Sequence, residues 1–255
     1  MHDAKLSVAP LPHQSFEFAL ALLEAAFEQD PTLAWCLFAE NRGFDERRTN
    51  YLRSYLRYHH DALMPALGAW RNGDLIAVSY FAPASCAESP DNLAELGHQI
   101  ASGCGELSLA RIDLLRESSA SNSPGSNSSW IEFIGVSPML QGEGIGSTLL
   151  NATLAHLREI EPSGTISLET AESRNIPFYI RHGFAITERI ERPGLTQYRL
   201  SINQPPLLRT GSVMPITETR PCPGAIVVLI ERLLPTAGHA TSRTTNFARS
   251  RSSGW

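Results

Sequence analysis

A strand that runs into a glycine-rich turn and out into a helix constrains this chain more than any other stretch. Trp130, Ile131, Glu132, Phe133, Ile134, Gly135 and Val136 form an apolar run that suits a strand, ended by Ser137-Pro138. Gln141-Gly142-Glu143-Gly144-Ile145-Gly146 follows, with Ser147 next, and Leu149, Leu150, Leu154 and Leu157 then recur at helical spacing towards Ile160. The first amides of such a helix have no intrahelical partner and point outward, and the helix dipole adds partial positive charge there. Glycines let an anion approach the backbone closely. The segment therefore predicts an anion site. A P-loop would end in Gly-Lys-Ser/Thr, yet the only lysine of the chain is Lys5. A dinucleotide fingerprint is G-x-G-x-x-G, whereas the glycines here stand at 142, 144 and 146. Taken alone, the segment also fits a purely structural glycine-rich turn.

The remainder reads as alternating helices and strands. Phe16, Ala19, Leu20, Leu23 and Phe27 predict an amphipathic helix over 15–28, stopped at Asp30-Pro31. A second helix is expected over 45–63, with Tyr51, Leu52, Tyr55 and Leu56 inward. Two short strands, 67–70 and 75–81, flank Arg71-Asn72-Gly73-Asp74, a hairpin signal because Asn and Gly tolerate positive φ. Residues 92–117 are mostly helical in pattern, broken near Gly103-Cys104-Gly105, and 118–129 is a Ser/Asn/Gly/Pro loop. A strand over 165–170, a short helix over 175–182 closed by Gly183, and a last pair of strands around Pro193-Gly194 complete the pattern. No internal repeat is visible.

Composition removes several function classes. Hydrophobic residues make up 42% and charged residues 18%, so a buried core is feasible. The longest apolar run, residues 225–230, is far shorter than the ~18–20 residues of a membrane span. Residues 1–12 have no apolar core and do not read as a secretory signal. Cys36, Cys86, Cys104 and Cys222 form no C-x-x-C pair, which argues against a zinc site or a disulfide scaffold and suits a reducing, cytoplasmic setting. The net charge of −5 gives no sign of nucleic-acid binding. The balance is uneven, with 15 basic and 24 acidic residues before position 204 and a Pro/Ser/Thr/Arg-rich stretch after it. Two regions are expected: a folded domain over 1–203 and a largely disordered extension over 204–255.

Several segments together resemble one family. The hexapeptide 141–146 matches the Q/R-x-x-G-x-G/A motif of the GNAT superfamily of N-acetyltransferases, and it follows a strand ending in Val136-x-Pro138. Leu168-Glu169-Thr170, Asn175, Pro177-Phe178-Tyr179 and Gly183-Phe184 follow in the order found there, and 168–184 is especially similar to puromycin N-acetyltransferase-like members. The resemblance covers about residues 6–202. It implies an α/β (α+β) GNAT fold, with a mostly antiparallel sheet splayed between two parallel strands and flanked by helices. It also implies acetyl-coenzyme A as cosubstrate, with no metal, and an acetyl group passed to the primary amine of a small molecule by direct attack through a tetrahedral intermediate. Acetylation of a protein Nα or lysine amine stays open, as does a non-catalytic acetyl-coenzyme A sensor. Neither the acceptor nor the oligomeric state is legible.

The resemblance also implies roles for single residues. The pantetheine arm would pair with backbone groups along Ile134, Gly135 and Val136, and the pyrophosphate would lie on amides of Gly142, Glu143, Gly144, Ile145, Gly146 and Ser147. Gln141 would brace the loop. Asn175 would contact the pantetheine chain, or cap a helix, or do both. Tyr179 is the candidate general acid for the departing thiolate, its alternative being a packed helix aromatic. Glu132 and Glu169 are candidates for deprotonating the amine. By strand alternation Glu132 projects from the face opposite Ile131 and Phe133. His59-His60-Asp61 suggests a metal only superficially, since helix neighbours one or two apart do not converge.

Overall fold

A computed structural model describes residues 5–86, 89–120, 128–204 and 226–227. The expected loop over 118–129 falls partly outside these residues, and the extension falls outside them except for residues 204 and 226–227.

Strand β1 (Ser7–Pro10) leads through a short 3-10 turn into α1 (Phe16–Ala26). Pro31, expected only to stop that helix, opens another. Asp30 accepts a hydrogen bond from Leu33 N at 2.9 Å, and Pro31 takes the first position of α2 (Pro31–Cys36), where no amide donor is needed. Helix α3 (Phe44–Asp61) precedes the hairpin of β2 (Ala66–Arg71) and β3 (Asp74–Ala82), turned by Asn72 and Gly73 at φ 56° and 90°. Helices α4 (Pro90–Cys104) and α5 (Glu106–Ala120) meet at Gly105, φ 92°. Then come β4 (Ser128–Val136), α6 (Ile145–Ile160), β5 (Gly164–Thr170), α7 (Ile176–Arg181), β6 (Ala185–Arg192) and β7 (Leu195–Gln204). The first residue of the extension, Gln204, still belongs to β7, and the two-residue strand β8 (Ile226–Val227) is described further along it.

The sheet order is β1-β2-β3-β4-β5-β7-β6, with β8 beside β4. All neighbours are antiparallel except β4 and β5. On one face α1, α3, α4 and α5 bury Leu23, Phe27, Tyr55 and Leu96 against Val78, Tyr80 and Phe133. On the other, α6 and α7 bury Leu149, Leu154, Phe178 and Tyr179 against Ile131, Ile134, Leu168 and Leu200. Each helix thus covers the sheet with its apolar stripe, the arrangement the periodicities predict.

Simple alternation fails at one place in β4. Tyr80 pairs with Phe133 and Phe81 with Ile131, so Glu132 is an extra residue, a β-bulge. Ile131 and Phe133 therefore lie in the two opposite cores rather than on a shared face. A bulge bends its strand. Pairing of β4 with β5 stops at this bend, since only Ser128, Ser129 and Trp130 meet Thr165, Ile166 and Ser167.

Candidate active site at the opened edge of β4

Beyond Trp130 the edge of β4 that faces β5 is released from β5. Strand β5 stays paired to β7 along its whole length, as far as Thr170, so its edge towards β4 opens as well. The glycine-rich loop sits at the C-terminal end of this gap. Gly142 and Gly144 hold φ of 89° and 81°, the left-handed region that costs an L side chain about 1–2 kcal/mol. Gly144 is the N-cap of α6 and supplies no side-chain cap. The first-turn amides of Ile145, Gly146 and Ser147 therefore stay outside the helical ladder. Gln141 Nε2 donates to Val136 O at 3.2 Å, tying the loop to the strand end. Glu143 is turned away and pairs with Arg71 at 2.7 Å. Gly135 serves packing: a Cβ there would come within 2.9 Å of Leu23 on α1. An open strand edge running into such a loop fits a ligand with an amide-bearing arm and a pyrophosphate. The bridge of β8 lies on this same edge, with Ile134 opposite Ile226 and Phe133 opposite Val227.

The side chains around the gap separate by face. Tyr179 is buried on α7 and packs edge-on to Phe184, ring centroids 5.7 Å apart, in one cluster with Ile134 and Leu168. Asn175 is buried just before α7 and makes no side-chain capping bond to that helix. Glu132 and Glu169 are both 1% exposed, with different partners. Arg199 on β7 donates to Glu169 Oε1 from Nε at 3.1 Å and from Nη2 at 2.9 Å, and its Nη1 pairs with Glu188 on β6 at 2.8 Å. Glu169 is thus spent on tying three strands together.

Glu132 meets His59 Nε2 from α3. Sequence reasoning passed over His59, although the signal was present. His59 lies on the stripe of Leu52, Tyr55 and Leu56, three or four residues on, whereas His60 faces out to Asp61 at 3.0 Å. Burial pushes the His59 imidazole down to about 3, while an ionised Glu132 at Nε2 works against that shift. With Glu132 at Nε2, the free lone pair of the neutral ring falls on Nδ1, which is buried and has no hydrogen-bond partner. His59 and Tyr80 form one end of a cavity of about 210 Å³.

The profile of the Acetyltransferase (GNAT) family matches residues 32–184, more than half of the chain. The chain belongs to this family. Acetyl-coenzyme A is accordingly its cosubstrate, and the chain is an N-acetyltransferase. Solved structures agree in fold. A Corynebacterium glutamicum protein described as histone acetyltransferase HPA2 and related acetyltransferase superposes with a TM-score of 0.55 at 19% identity, covering 81% of this chain and 99% of its own. A polyamine N-acetyltransferase of Drosophila melanogaster, which forms N-acetylagmatine, gives 0.53 at 14% identity over 78% of this chain and 100% of its own. An agmatine N-acetyltransferase variant in its apo form gives 0.53 at 15%, over 78% and 99%. Among the described residues of this GNAT protein no helix is long and apolar enough to cross a membrane.

Proposed function

We propose that this protein moves the acetyl group of acetyl-coenzyme A to the primary amine of a small molecule. The observation that carries the proposal is the coincidence of three features at β4: an edge opened beyond Trp130, the outward amides of the Gly142–Gly146 loop, and the buried His59–Glu132 pair at the bulge. The amides of Gly142, Glu143, Gly144, Ile145, Gly146 and Ser147 hold the pyrophosphate. Backbone groups along Ile134, Gly135 and Val136 take the pantetheine arm, with Asn175 beside it. That edge is available once Ile226–Val227 leave it. The unit that does this spans 1–203, and 204–255 is an extension to it.

Three proton transfers are needed, two from the nitrogen and one to the sulfur. A primary ammonium has a pKa near that of lysine, about 10, and attacks only after losing a proton. His59 with Glu132 behind it accepts that proton. The imidazolium then has a carboxylate at Nε2, which offsets the cost of charging a buried ring. The neutral nitrogen forms its bond to the acetyl carbon, the now cationic nitrogen gives its second proton to water, the carbon–sulfur bond breaks, and Tyr179 protonates the departing thiolate. Tyr179 on the α7 face and His59 on the α3 face suit these roles by standing on opposite sides of the sheet. Glu169, held by Arg199, has no part in proton transfer. The free thiols of Cys36 and Cys104 suit the cytoplasm.

The test is thiol release from acetyl-coenzyme A, followed with a thiol reagent across a panel of small amines. Release that depends on an amine supports the proposal. Tight binding of acetyl-coenzyme A with no release for any amine would overturn it in favour of a sensor.

A further inference from the structure

The cavity beside His59 carries information about the acceptor. It lies between the start of β2, the end of β3 and the C-terminal turn of α3, with a volume of about 210 Å³. Its walls are Leu11, Phe16, Leu56, Met64, Ala66 and Tyr80, with Leu63 at the mouth. The ionisable side chains in it are His13, His59, His60 and Tyr80, and no carboxylate lines it among the described residues. Asp61, the neighbour of His60 in the chain, pairs with it at 3.0 Å, and Glu132 lies against His59. Leu63 is 85% exposed and holds φ of 54°, a left-handed conformation that bulky residues avoid. It follows the end of α3, a position where glycine is usual. A side chain kept there against its backbone preference points to a use for it at the rim.

We propose that this cavity is the acceptor subsite and that it selects a primary amine carried on an uncharged, largely apolar body, its nitrogen hydrogen-bonded to His59 Nδ1. The proposal rests on the acetyl-transfer function and adds the class of acceptor. The size suits it: 210 Å³ is the liquid share of roughly seven water molecules, room for a ring with a short alkyl arm. The polarity suits it as well. A neutral imidazole accepts from one ammonium at Nδ1, and the apolar wall favours the form that has given up its proton. A second cationic group, as in agmatine or a polyamine, would be buried with no counter-charge. The cavity also connects to the chemistry, because Glu132 belongs both to the pair behind His59 and to the bulge where β4 opens.

The experiment compares 2-phenylethylamine with agmatine on the full chain, by thiol release and by calorimetric binding of each amine. The wild-type protein should prefer 2-phenylethylamine by at least tenfold in kcat/KM. Ala66→Leu, which fills the cavity, should raise the KM for 2-phenylethylamine at least tenfold while acetyl-coenzyme A binds as before. Leu63→Glu, at an exposed position, should narrow the preference by bringing a carboxylate to the rim, and it decides the matter if Ala66→Leu does not fold. A preference for agmatine, or a folded Ala66→Leu with unchanged KM, would overturn the subsite while leaving acetyl transfer standing. Binding of 2-phenylethylamine that Ala66→Leu abolishes, with no thiol released, would uphold the subsite and overturn acetyl transfer.

Discussion

Replacing His59 and Glu132 singly and together separates their structural contribution from their chemical one. Both side chains are 1% exposed and in contact. His59→Leu leaves a buried carboxylate without its partner, a change that costs about 3–5 kcal/mol. Glu132→Leu leaves Nε2 of a neutral imidazole unsatisfied as well as Nδ1, a further cost of about 1–3 kcal/mol. The double variant puts two apolar side chains where the pair was, and its stability should lie within about 1 kcal/mol of wild type. The coupling between the sites is then at least about 3 kcal/mol. Urea unfolding of the four proteins measures it directly. If the two single effects add to within about 0.5 kcal/mol, the contact does not exist as described. Activity supplies the second arm, with kcat/KM expected to fall by about 10²-fold or more in every variant, the double included. A stable double variant that retains full turnover would remove the pair from the mechanism.

Three further outcomes follow from other parts of the molecule. Tyr179→Phe keeps the ring packed against Phe184 and should lower kcat by about 10²-fold or more with little change in acetyl-coenzyme A affinity; unchanged turnover removes it as the acid. Deleting residues 205–255 frees the Phe133–Ile134 edge from β8 and should tighten coenzyme A binding by up to about tenfold, the worth of one or two hydrogen bonds; an unchanged Kd refutes competition for that edge, and a remainder that fails to fold refutes the boundary at 203. Burial pushes the Asp30 carboxyl from its ordinary 3.8 up to about 7, so between these values the folded chain holds a proton that the unfolded chain has lost. Stability should therefore fall as pH rises from 4 to 7, by something on the order of 4 kcal/mol, and Asp30→Asn should flatten that slope while keeping the cap; parallel curves would refute the shift.

The parts of the site legible in the sequence are those set by local chemistry. The run from Trp130 through Gly146 into α6 announces a strand, a left-handed turn and a helix within one stretch, and the structure has all three. The Asn72-Gly73 hairpin is equally local. Elements that depend on distant partners were hidden. Strand β1 has a weak apolar pattern over Ser7–Pro10 and exists because β2 pairs with it. Pro31 ends one helix and begins the next, and the sequence advertised only the first event. Glu169 reads as an exposed or catalytic acid until β7 brings Arg199 opposite it from 30 residues away. The bulge at Glu132 is the most consequential omission. One extra residue changes which face every later side chain takes, and no periodicity rule signals where it falls.

Backbone hydrogen exchange tests most directly where the acetyl donor sits. With saturating coenzyme A, amides of residues 142–147 and of the β4 edge over 133–136 should gain protection, while the β6–β7 hairpin and α4 stay unchanged. Protection that appears elsewhere, with the loop exchanging as fast as in the free protein, would contradict the assignment of the Gly142–Gly146 loop and the opened edge of β4 as the donor site.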